Sequence, residues 1–199
     1  MSLLTGTPDT RTQHSEGLGL FNVFLAKGIP VALGIIGVII EGWGGISWPG
    51  ALISGTVAAV AMSAFNGLGR ALGLTGLRFD EMLGTLMAEP RTTGARALGM
   101  FIHLAFGALL AVGWAYTMAL FNWSTNWFSG MLWGAFVGAL ALLLVSSMGV
   151  IHPKMREHRQ EDPGPAGTNL GRMTPVWVGL AHLVYGATMG LLYAGVFLE

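Results

Sequence analysis

The chain has 199 residues, no cysteine and few charged side chains. Without cysteine it forms no disulfides, thiolate metal sites or iron–sulfur clusters. Charged residues make up only 10% of the sequence, and ten Lys and Arg balance ten Asp and Glu. The net charge is zero, and we interpret the arginines as topology signals and not as a phosphate-binding surface, so nucleic acid is not expected as a partner.

Most of the chain consists of long apolar segments. Hydrophobic residues make up 53% of the chain, and the mean hydropathy is +0.62. A helix needs roughly 20 apolar residues to cross a bilayer, and such runs cover residues 18–41, 48–74, 97–121, 127–151 and 176–198. The sequence therefore predicts an all-α integral membrane protein, with a polar tail over 1–17 and a single five-helix bundle over 18–199.

The basic residues predict how the bundle is oriented. They lie in the N-terminal region and in the second and fourth connections, at Arg11, Lys27, Arg70, Arg78, Arg91, Arg96, Lys154, Arg156, Arg159 and Arg172. The connections at 42–47 and 122–126 carry none. Because basic loops stay in the cytoplasm, we expect a bacterial inner-membrane protein with its N-terminus inside and its C-terminus outside.

The first span is interrupted by Lys27 and Pro30. We expect one continuous helix that bends at Pro30, with Lys27 extending to the cytoplasmic headgroups. The alternative is an interfacial helix over residues 18–26 followed by a short, tilted crossing.

Two halves of the chain resemble each other at an offset of 79 residues. Trp48 matches Trp127, Gly55 matches Gly134, and the segment 103–108 (HLAFGA) matches 182–187 (HLVYGA). The only two histidines inside apolar runs, His103 and His182, align without a gap. The pattern predicts a duplication of a two-helix unit, over residues 48–121 and 127–199, related by an axis along the membrane normal.

Small residues indicate where the helices touch, because helices in lipid associate by close backbone approach. The predicted packing residues are Gly55, Gly107, Gly130, Gly134, Gly138, Gly186 and Gly190. We expect a four-helix core with the first helix at its side, and Val145 facing lipid.

The two basic connections differ in pattern. Apolar residues at helical spacing predict a short amphipathic helix before Pro90, with Phe79, Met82, Leu83, Leu86 and Met87 on one face. Residues 152–174 contain the run PGPAG and should be irregular and mobile unless a partner holds them. His14, His152 and His158 lie in polar segments, and we expect them to be solvated.

His103 and His182 are the candidate functional residues. Two imidazoles at equal depth could hold a haem, ligate chlorophyll magnesium or contact a quinone. The alternative is structural: each histidine donates a hydrogen bond to a neighbouring helix. We expect no Asp, Glu or Lys in the bundle interior, and the sequence shows no catalytic set of residues, phosphate-binding loop or metal cluster. An enzyme is therefore not expected.

From residue 50 to 197 the chain resembles a group of uncharacterised bacterial membrane proteins with four spans. The resemblance rests on Ile53-Ser54-Gly55-Thr56, the segment 79–84, His103, and the phrase HLVYG at residues 182–186. That group brings no assigned activity, and the additional N-terminal helix departs from its pattern.

These observations lead to three functional hypotheses. The first is a non-catalytic accessory subunit of a larger membrane assembly, respiratory or photosynthetic, whose partners are other membrane subunits and bound lipids. The second is a subunit that binds haem, chlorophyll or quinone through His103 and His182. The third is a small transporter or lipid-handling protein.

Overall fold

A computed structural model describes the backbone of residues 10–197 and the side chains of residues 17–196. Five helices in this part of the chain are long and apolar enough to cross a membrane: Gly17–Glu41, Trp48–Ala71, Thr93–Leu120, Trp127–Ile151 and Thr174–Val196. The described residues contain no strand. The predicted all-α, multi-pass membrane architecture is confirmed.

The described residues form eight α-helices. In order they are α1 (Thr10–Val23), α2 (Ile29–Glu41), α3 (Trp48–Ala71), α4 (Phe79–Gly84), α5 (Thr93–Leu120), α6 (Trp127–Ile151), α7 (Pro153–Arg156) and α8 (Thr174–Phe197). A π-helical turn, Phe24–Gly28, joins α1 to α2, and a 3₁₀ segment, Pro165–Leu170, precedes α8. The connections 72–92 and 152–173 lie at one end of the bundle, which we call the basic end.

The first span is continuously helical, as expected, but its irregular part precedes Pro30. The π-helical turn covers Phe24–Gly28, and Ile29 then resumes α-helical bonding to the carbonyl of Leu25. Proline has no N–H to donate, and a π-helical turn accommodates a local change in the bonding ladder. The turn also sets the direction in which Lys27 leaves the helix.

We expected the first span at the side of a four-helix core, but it packs between two of the core helices. Helix α8 packs on both α6 and α3, and α3 packs on α5. Helix α1 packs on α6, whereas α2 packs on α5. The first span therefore lies between α5 and α6 and completes the bundle there.

Glycines allow α6 and α8 to approach backbone to backbone. A Cβ on Gly186 would lie 2.9 Å from Cα of Gly134 and closer still to the carbonyl of Gly130. The equivalent contact in the other half joins Gly55 to Gly107, where a Cβ on Gly107 would lie 3.1 Å from the Gly55 oxygen. Val145 does not face lipid; it is 1% exposed and packs beneath the bundle. The expectation for Val145 was wrong because the folded basic end covers it.

Helix α4 lies under the basic end of the bundle. It contacts α5 at two close approaches, where Gly99 meets the Asp80 carbonyl and Gly84 meets the Ala95 carbonyl. The helix ends at Gly84, earlier than expected, so Leu86 and Met87 are exposed instead of completing its apolar face. Only its first turns contribute to the core.

The connection 152–173 is irregular, as expected, yet it is packed rather than loose. Ser146 accepts a hydrogen bond of 2.7 Å from the backbone of Ala166. The hydroxyls of Thr75 and Thr174 lie 2.9 Å apart, and Gly76 donates its N–H to the carbonyl of Leu170. These bonds tie the connection 152–173 to α6 and to the connection 72–92.

Candidate intramembrane binding cavity

A cavity of about 90 Å³ lies inside the bundle toward its basic end. Helices α3, α5, α6 and α8, the π-helical turn and α4 all contribute to its lining. Most lining residues are apolar, but Lys27, His103 and His182 project into it from three different spans. Ionisable groups inside a membrane bundle are costly and mark candidate functional sites.

Lys27 is half-buried, and its side chain lines the cavity. Its amino group lies 3.7 Å from the centre of the Phe106 ring on α5. An ammonium group over an aromatic face is attracted by the ring quadrupole. The expectation of an interior without lysine was therefore wrong, because the π-helical turn directs this side chain inward.

His182 makes its hydrogen bond within its own helix. Nδ1 donates to the carbonyl of Val178 at 2.8 Å, whereas a bond to a neighbouring helix was expected. A carbonyl can only accept, so Nδ1 carries the hydrogen and Nε2 of the neutral ring is an acceptor. The residue is 8% exposed. It therefore brings a neutral hydrogen-bond acceptor to the cavity.

His103 separates the main cavity from a smaller, more polar one. Its ring lies near the backbone carbonyl of Ala59 on α3. The smaller cavity, of about 40 Å³, is lined by Asn66, Arg70 and Asp80 as well as by His103. Polar side chains therefore lie beside His103 on the side of the basic end.

The environments of the two histidines are related by the offset of the duplication. Position 59 is equivalent to position 138, and both adjoin a histidine. His103 lies at Ala59, and a Cβ on Gly138 would lie 2.9 Å from Cβ of His182. This equivalence supports the predicted duplication beyond the identities in sequence. The pair α3 and α5 and the pair α6 and α8 each bring one histidine to the same cavity.

Helix α4 closes the cavity at the basic end. Phe79, Met82 and Leu83 line the cavity from below. At the other side, Tyr185 donates its hydroxyl hydrogen to the Gly107 carbonyl at 2.6 Å, which leaves no O–H for a ligand. The polar groups available to a bound molecule are therefore Lys27 and the two histidines.

His152 holds α4 in place and is not solvated as expected. It is 0% exposed, and its Nε2 lies 3.0 Å from the Met82 carbonyl and 3.3 Å from the Thr85 hydroxyl. Burial lowers the pKa of this imidazole below its usual value, and the nearby Lys154 acts in the same direction. His158 is exposed, as expected, and the side chain of His14 lies outside those described.

A surface ion-pair cluster joins the two basic connections outside the cavity. Glu89 accepts hydrogen bonds from Lys154, at 2.8 Å, and from Arg159. The bond from Lys154 is the main cause of the lowered pKa of the Glu89 carboxyl. Exposed pairs of this kind stabilise little on their own, so the cluster mainly defines how the connections meet.

The sequence identified two of the three basic groups in the cavity. His103 and His182 stood out as the histidines within apolar runs. Lys27 also lay in an apolar run, but it was interpreted as a residue near the membrane surface. Its position one turn before a proline was the available signal, because a proline within a helix often marks an irregular turn.

Comparison with protein-family models, with curated protein sequences and with solved structures finds no match to this chain. The resemblance to four-span bacterial membrane proteins stays a prediction.

Proposed function

We propose that this chain is a non-catalytic membrane protein that binds a small, membrane-soluble molecule with a compact polar head. The observation that supports this most is the convergence of Lys27, His103 and His182 on one otherwise apolar cavity. Ligand sites typically combine an apolar lining with a few polar groups that orient the ligand. In this proposal the basic end faces the cytoplasm of a bacterial cell, in keeping with the distribution of positive charge.

The size of the cavity favours a compact head over a macrocycle. Sites that enclose drug-sized ligands measure roughly 300–1,000 Å³, whereas this cavity measures about 90 Å³. Haem or chlorophyll would require the helices to separate, while the head of a quinone or a lipid-like molecule would not. An absorption spectrum tests this preference. A Soret band in the wild-type protein that disappears in both His103→Leu and His182→Leu would contradict it.

A pair of alanine substitutions tests the proposed binding itself. Ala141 lines the cavity, whereas Ala139 on the same helix is exposed. Ala141→Phe should fill the cavity, and Ala139→Phe should leave it open. We expect mass spectrometry of extracts to find a small molecule with the wild-type protein and with Ala139→Phe, but not with Ala141→Phe. The same molecules in all three samples would reject the proposal.

An accessory role in a larger assembly, respiratory or photosynthetic, is a second proposal and is compatible with the first. It is favoured by Met87, which is 80% exposed at the basic end beside the exposed Leu86. Apolar side chains exposed together outside the spans are typical of contact surfaces. A stoichiometric partner that co-purifies with the wild type and with His158→Glu, but not with Met87→Glu, would support this role. Purification as a lone chain in all three cases would argue against it.

A further inference from the structure

The cavity contains one amino group and no carboxylate. The lining residues include Lys27 but neither Asp nor Glu, and no ion pair of Lys27 occurs among the described side chains. Asp80 lies in the smaller cavity, beyond His103. An ammonium group in an apolar site needs a compensating charge. The ring of Phe106 offers only a partial one, so a ligand with an anionic oxygen would complete the site.

The tautomer of His182 determines which ligand head groups can hydrogen-bond to it. Because Nδ1 of His182 donates to Val178, the neutral ring presents Nε2 as an acceptor. A quinone head offers only acceptor oxygens and would find no donor at that nitrogen. A carboxylic acid offers an O–H donor in its neutral form and two acceptor oxygens in its charged form. The charged form pairs with Lys27, and the neutral form could instead donate to Nε2 of His182; a quinone can do neither.

The remaining lining suits an alkyl chain next to that head. On α5 the cavity extends from His103 to Leu110, a rise of about 10 Å along the helix. The facing residues of α6 are Val137, Ala141, Leu144 and Val145. A slot of this length and small volume accommodates an unbranched chain better than a ring system.

We infer that the ligand is a single-chain fatty acid whose carboxyl group lies among Lys27, His103 and His182. This inference rests on the proposed function and names the ligand class for the same cavity. In the site, Lys27 pairs with the carboxylate, while the first carbons of the chain lie along α5 and α6. The other hydrophobic residues of the cavity exclude water and strengthen the ion pair.

Binding of four defined probes tests the inference. The full chain in phosphatidylcholine nanodiscs is titrated with decanoic acid, methyl decanoate, decanol and a short-chain benzoquinone, and bound molecules are counted by native mass spectrometry. We expect one decanoic acid per chain, bound at least about tenfold more tightly than the other three probes, since a charge-assisted hydrogen bond is stronger than a neutral one.

The second part of the test is a substitution of Lys27. Lys27→Met keeps the length of the side chain but removes the charge, and we expect at least about tenfold weaker binding of decanoic acid. Lys154→Met removes a lysine at the basic end outside the cavity and should not change the affinity. A melting curve like that of the wild type shows that Lys27→Met is folded. If Lys27→Met does not fold, Phe106→Leu replaces it as the test. Phe106→Leu keeps the amine and should still bind decanoic acid more tightly than methyl decanoate.

The outcomes separate the inference from the proposed function. Tighter binding of decanol or the quinone than of decanoic acid overturns the ligand class but leaves a binding cavity. Equal binding of decanoic acid to the wild type and to folded Lys27→Met also overturns the ligand class. Binding of none of the probes, with Ala141→Phe and Ala139→Phe alike in their extracts, overturns both.

Discussion

The amino group of Lys27 lies 3.7 Å from the centre of the Phe106 ring, so the first span and α5 are joined by a cation–π contact inside the bundle. Such contacts contribute about 0.5 kcal/mol at exposed sites and about 2 kcal/mol when desolvated. The contact gives this lysine a favourable partner within an apolar span.

A double-mutant cycle measures this contact. We expect Lys27→Met and Phe106→Leu to show a coupling energy of about 0.5–2 kcal/mol in the free energy of unfolding, because each removes the same interaction. Unfolding in mixed micelles followed by helical circular dichroism gives the four values. Strictly additive effects would show that the two side chains do not interact.

The glycine contact between α6 and α8 provides a matched test of packing. Gly186→Leu should lower the free energy of unfolding by about 1–3 kcal/mol, because the new side chain meets the backbone of α6. Gly179, on the same helix, has open space where a Cβ would go. Gly179→Leu should therefore have little effect. Similar losses for both variants would show that close approach at Gly186 is unimportant.

Much of the fold followed from the sequence because it depends on local pattern. Hydropathy located the five spans within a few residues, since bilayer thickness sets their length. The four-residue spacing of Gly130, Gly134 and Gly138 on one span, and of Gly186 and Gly190 on another, indicated close helix contacts for a similar reason, since only small residues permit backbone contact in lipid. Both patterns can be recognised within a single helix, without knowledge of the tertiary arrangement.

The missed features depend on contacts between distant segments. The direction of Lys27 follows from the π-helical turn and from the position of Phe106, which lies on another span. The burial of His152 follows from the packing of α4 beneath α6. No periodicity in the sequence reports either relationship, because each depends on a contact with a residue far away in the chain.

Reporter fusions test the proposed orientation. A reporter after Glu199 should be found outside, and one inserted at Arg91–Arg96 should be found in the cytoplasm, because the ten basic residues lie toward the basic end. Alkaline phosphatase and a fluorescent protein that is active only inside give opposite readouts. Equal activity of one reporter at both positions would contradict an odd number of crossings between them.

His152 should make stability depend on pH. Its Nε2 lies 3.0 Å from the Met82 carbonyl, while its Nδ1 has no hydrogen-bond partner, so the folded protein holds the ring neutral. Burial lowers its pKa, and the unfolded chain therefore binds a proton that the folded chain does not. As the pH falls through the ordinary histidine value of about 6.5, the free energy of unfolding should decrease by at most about 1.4 kcal/mol per pH unit. The decrease should stop once the pH is below the lowered pKa. Unfolding in mixed micelles at several pH values measures this slope.

His152→Gln should remove the part of the slope that His152 causes, whereas His158→Gln, at an exposed position, should retain it. The same slope in His152→Gln and in the wild type would show that another group causes the pH dependence.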